Sequence, residues 1–73
     1  MDVERLKKLA EIEGYFGYME MLEEATFDSC VPAICTNEGC ECSYTLEPDA
    51  TGGLCEVCGT YTVSSCLIIA GLI

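Results

Sequence analysis

The sequence predicts a small α+β fold: an N-terminal helical segment, a central β-hairpin between two cysteine turns, and a short apolar C-terminal helix. Three observations lead there. Apolar residues recur at helical spacing near the N-terminus; cysteines, glycines and β-formers take over from Ala33; and an eight-residue apolar run, Cys66 to Ile73, closes the chain. At 73 residues the chain makes one domain, 1–73, with a helical part over 1–28 and a cysteine-rich part over 29–73. A domain of this size buries only about 60% of the surface its unfolded chain exposes. It therefore needs a staple such as a metal, a disulfide or a partner subunit.

Leu6, Leu9 and Ile12 lie three apart with Ala10 beside them, which predicts a helix over 3–13. Leu9, Ile12, Phe16, Met19 and Leu22 would extend that stripe, but Gly14 and Gly17 interrupt it. Each glycine costs about 1 kcal/mol against alanine inside a helix. Two helices, 3–13 and 17–25, are therefore expected, with Gly14-Tyr15-Phe16 between them and Met19, Met21 and Leu22 in the core; one continuous, weakened helix is the alternative. Pro32 ends the helical part, because proline disfavours helix at the residue before it. Cys42 to Glu47 is a strand candidate, and Pro48 to Gly53 is turn chemistry. Thr60 to Ser65 suits either a strand or the capped start of a helix. The apolar run after it must pack on something, and the N-terminal stripe is the only sizeable surface on offer.

The seven cysteines are Cys30, Cys35, Cys40, Cys42, Cys55, Cys58 and Cys66, and there is no histidine. Cys55-Glu-Val-Cys58-Gly59 is the sharpest motif in the chain. Two intervening residues let a tight turn aim both sulfurs at one ion, and the glycine behind it relieves the strained backbone. Structural zinc takes four such thiolates, arranged tetrahedrally at about 2.3 Å. Cys35-Thr-Asn-Glu-Gly-Cys40 supplies the second pair, with Asn37 and Gly39 suited to a left-handed turn. Fourteen residues separate the pairs, room for a hairpin through Pro48 to Gly53. That layout is a zinc ribbon, with Cys35, Cys40, Cys55 and Cys58 as metal ligands to one structural Zn²⁺. Alternate residues of an extended segment face opposite ways, so Cys42 would point away if Cys40 ligates. Sets using Cys42 or Cys30 are the alternatives. Cys66, among Leu67, Ile68 and Ile69, reads as a small core hydrophobe.

A resemblance supports this assignment. Ile34-Cys35-x4-Cys40, Glu47-Pro48-Asp49, Gly53-x-Cys55-x-x-Cys58-Gly59-Thr60-x-Thr62-Val63-x-Ser65 and Ala70-Gly71-Leu72-Ile73 together resemble short uncharacterised zinc-ribbon proteins of phages and bacteria. The likeness reaches upstream through Asp28-Ser29, Met21-Leu22-Glu23 and Glu13-Gly14-Tyr15. It implies the same four ligands and brings no established activity. Cys55 to Tyr61 also resembles half of a rubredoxin iron site, so iron is the alternative metal. Tetrahedral sulfur sites admit either ion.

The formal net charge is −10, and all three bases, Arg5, Lys7 and Lys8, lie at the N-terminus. A polyanion is bound by lysines and arginines that displace its counterions. Nucleic acid is therefore a disfavoured partner, and a transcription-accessory ribbon is the secondary reading. An acidic face for a protein partner fits the charge better, and mimicry of the DNA backbone is a further option. The apolar C-terminal run outsizes its expected helical cover, which would let two copies pair as a homodimer. No apolar run approaches the about 20 residues that span a bilayer, and the mixed-charge N-terminus is unlike a secretory signal. A reducing cytoplasmic setting follows, in which paired cysteines hold metal rather than disulfides. Four thiolates leave zinc no open position for water, and nothing else makes a catalytic set, so a non-enzymatic interaction module is expected.

Overall fold

Asp2 opens the first helix by accepting the Arg5 backbone N–H on its carboxylate at 3.1 Å, an N-cap that satisfies one of the first-turn donors. The computed structural model describes residues 2–73. Helix α1 runs Val3–Glu13 and stops where the Gly14 N–H turns back to the Ala10 and Glu11 carbonyls. Helix α2 follows at Tyr18–Ala25, with Gly17 as its extended N-cap. Both lie where the glycine argument puts them.

The expected stripe does not cross that break. Leu6, Leu9 and Ala10 are buried from α1 and Met21, Leu22 and Ala25 from α2, but Ile12, Phe16 and Met19 are exposed. Gly17, extended at φ −163° and ψ 168°, interrupts the helical phase, so α2 presents a new face. Met19, expected in the core with Met21 and Leu22, lies outside it for that reason.

The sheet has strands β1 Val31–Cys35, β2 Ser43–Leu46, β3 Gly53–Cys55 and β4 Thr60–Ser65, in the spatial order β2-β1-β4-β3 with every pairing antiparallel. The expected hairpin through Pro48 to Gly53 is not present, because β2 and β3 lie on opposite edges. Each cysteine turn is instead its own hairpin connection, joining β1 to β2 and β3 to β4. The 48–52 segment crosses the sheet end, held there by Ser65, whose backbone N–H donates to the Ala50 carbonyl at 3.1 Å and whose hydroxyl donates to the Pro48 carbonyl. Thr51 and Ser64 add a hydroxyl pair at 3.0 Å. Pro32 is tolerated in an inner strand because pairing with β4 begins only at Ala33, leaving β2 as its one neighbour.

Thr60–Ser65 fulfils both of its readings: it is a strand, and Ser65 caps the closing helix α3, Cys66–Ile69, by accepting the Ile68 N–H at 3.2 Å. Leu67, Cys66 and Ala70 then pack with Leu6, Leu9, Met21, Leu22, Val31 and Ile34 in one core between helices and sheet. A second cluster gathers Ala33, Cys35, Cys40, Cys55 and Val63. From Ala33 to Cys35 alternation along β1 divides the two: Ile34 goes to the helical core, Ala33 and Cys35 to the cysteine cluster. Val31, at the start of the strand, packs in the helical core. Among the described residues no helix is long and apolar enough to cross a membrane.

Candidate metal centre

Strand direction brings the four paired cysteines to one end of the sheet. β1 and β3 both end there, delivering Cys35 and Cys55 as their last residues, and each is followed by a turn that returns a second sulfur. In the first turn the Cys40 N–H donates to the Asn37 carbonyl at 3.1 Å; in the second the Gly59 N–H donates to the Cys55 carbonyl at 2.7 Å. Gly39 and Gly59 take left-handed backbone at φ 81° and 71°, the conformation a side chain disfavours. Asn37, expected to share that role, does not adopt positive φ. It donates its side-chain amide to the Thr60 hydroxyl at 3.0 Å instead.

The Sγ atoms of Cys35, Cys40, Cys55 and Cys58 all lie within 4.8 Å of one another. Cys35 and Cys58 are 3.9 Å apart at sulfur and Cys40 and Cys55 3.7 Å. A tetrahedral ion with metal–sulfur bonds of about 2.3 Å has sulfur–sulfur edges of about 3.8 Å. A disulfide needs about 2.05 Å, and these thiols are free. The group could hold a metal ion, and its spacing suits a tetrahedral thiolate set.

Hydroxyl groups converge on two of the sulfurs. Tyr44 donates to Cys55 Sγ at 3.5 Å while accepting the Glu56 N–H at 3.1 Å. On the other side Asn37 donates to Thr60, and the Thr60 and Thr62 hydroxyls lie 3.1 Å apart. Thr62 in turn meets Cys35 Sγ at 3.1 Å, so the chain can end in a hydroxyl donated to a thiolate. The Tyr44 hydrogen bond is the main cause that draws the Cys55 thiol down to about 6, and the same contact pushes Tyr44 up to about 12. Cys58, although Asn37 favours its thiolate, is pushed up to about 11 by Cys40, burial and the remaining thiols. Without a cation, negative charge at one sulfur opposes charge at its neighbours; a divalent ion removes that conflict.

The remaining cysteines stand apart from this group. Cys42 is half-buried and packs against the cluster, although it is not one of the four close sulfurs, and Cys30 is exposed. Cys66 is fully buried in the helical core, where burial pushes its thiol up. Arg5, Tyr44 and Thr62 were not singled out by the sequence. Arg5 is thirty residues from Cys35, and only the fold brings its guanidinium to the first turn. Compared with known proteins, the chain matches no family model, no curated protein and no solved structure.

Proposed function

We propose that the chain is a non-enzymatic zinc-ribbon protein in which one structural Zn²⁺, held by Cys35, Cys40, Cys55 and Cys58, fixes a platform for binding another protein. The observation that carries the metal reading is the pair of sulfur–sulfur separations, 3.7 and 3.9 Å, at the edge length of a thiolate tetrahedron. Four thiolates complete the coordination of zinc and leave no position for water, which favours a structural over a catalytic ion. Its role would be to staple a sheet of short strands, where metal binding is largely folding free energy.

Protein is the favoured partner class on charge. Arg5 pairs with Asp2, and Lys8 with Glu11 and Glu41, so two of the three cations are engaged within the molecule. Four thiolates around Zn²⁺ add a further −2 or so. Cobalt(II) titration of the metal-free protein tests the site: tetrahedral thiolate coordination gives intense visible absorption, bleached when zinc displaces cobalt. Pale octahedral cobalt spectra would end the reading.

A further inference from the structure

We infer that the apolar groove beside α2 is the docking site for a basic amphipathic helix of another protein. This rests on the interaction-module reading above and names its surface and partner chemistry. The groove has a volume of about 430 Å³; Met19, Leu22, Phe27 and Leu72 line it, with Glu23 and Glu24 at its edge. Leu22 belongs to the core, but Phe27 is 91% exposed, Met19 60% and Leu72 54%. Apolar side chains gathered around one depression differ from the scattered exposed residues of an ordinary surface. Methionine is unbranched and polarisable, so it adapts to the shape of an inserted side chain.

The charge around the groove selects the occupant. Glu23 and Glu24 line the groove, Glu20 lies on the same helix and Asp28 just past its end, and no lysine or arginine occurs after Lys8. The ion pairs found among the described residues involve only Arg5 and Lys8, with Asp2, Glu11 and Glu41. The acids at the groove thus have no internal counter-charge. A second copy of the chain would bring the same net charge of −10 against them. A helix with leucine-like residues on one face and lysine or arginine flanking them fills the depression and neutralises the rim, the usual helix-in-groove mode. Its cations would raise the association rate and make binding salt-dependent.

The test uses the full chain as purified and a fluorescein-labelled amphipathic leucine/lysine peptide. Two controls accompany it: the same peptide with lysines replaced by glutamate, and a scrambled isomer with no apolar face. Anisotropy should show the leucine/lysine peptide binding at least tenfold tighter than either control, and more weakly as salt rises. Phe27→Ser and Met19→Ser should each weaken binding at least fivefold. Phe16→Ser, which removes an equally exposed apolar residue outside the groove, should leave it unchanged. Glu23→Lys should narrow the preference for the lysine peptide over the glutamate one. Equal binding to Phe27→Ser and Met19→Ser, equal binding of the control peptides, or self-association that covers the groove in light scattering would overturn the proposal. Metal content and circular dichroism are recorded on the same samples. A folded, metal-loaded chain that ignores the peptide refutes the docking site alone, whereas loss of the metal reading would register in metal content whatever the peptide does.

Discussion

The Arg5 guanidinium donates from Nη1 to the Cys35 carbonyl at 2.7 Å, joining the first turns of α1 to the residue on which β1 delivers a sulfur to the cluster. Longer contacts at 3.5 Å reach the Asn37 and Cys40 carbonyls, so one side chain spans the first cysteine turn from end to end. Asp2 fixes the other side of the guanidinium at 3.1 Å while capping the helix. The helical layer and the cysteine cluster are therefore mechanically linked.

Arg5→Ala should destabilise the folded protein by about 1.5–3 kcal/mol, the range for a hydrogen bond to a charged group whose partner is part-buried. Arg5→Lys should recover only part of it, because an ammonium cannot replace the planar fork. Urea denaturation of the two variants beside the parent checks both, and an unchanged midpoint for Arg5→Ala would contradict the linkage.

Tyr44→Phe and Thr62→Val keep shape while removing the hydroxyls aimed at Cys55 and Cys35. Outer hydrogen bonds of this kind hold ligands in place, and their loss lowers metal affinity by about 10–100-fold. Competition against a coloured zinc chelator should show that loss for Tyr44→Phe with the fold retained.

The cysteines should separate into two classes. Cys55→Ser and Cys58→Ser remove a sulfur from the close group and should prevent cooperative folding. Cys66→Ala leaves the group intact, empties a small part of the helical core and should cost about 1 kcal/mol. Cys30→Ser, at an exposed position, should change little. Thermal melts by circular dichroism distinguish these outcomes.

Labelled duplex and single-stranded DNA should show no binding even at about 50 mM salt, where electrostatic contacts to phosphate are strong. Retention of either strand at that salt would favour the nucleic-acid reading over the protein partner.

Much of this arrangement was legible in the chain because local chemistry and tertiary demand agree. Gly14 and Gly17 break the helices where they are weak, Ser65 caps α3, and the two cysteine turns carry their glycines at 39 and 59. What was hidden depends on pairing between distant segments. β1 contains Pro32, a residue that argues against an inner strand, and is recognisable only once β2 and β4 flank it. The 48–52 segment has the composition of a hairpin turn and serves as a crossover, a choice made by Ser65 and Ser64 on a strand it does not adjoin in sequence. Met19 followed the helical stripe on paper, but the stripe ended at Gly14. At the cluster the sulfurs announce themselves by spacing, whereas Arg5, Tyr44 and Thr62 carry no signature until the fold places them.

The central claim, one zinc ion on four thiolates, is tested most directly by native mass spectrometry beside elemental analysis of protein purified without added metal. One zinc per chain, with all seven cysteines reduced and the metal lost in Cys58→Ser, is the predicted result. A chain that is folded with no metal, or one whose cysteines are joined as disulfides, would contradict it. One iron per chain and a red solution would contradict the zinc assignment while keeping the four sulfurs.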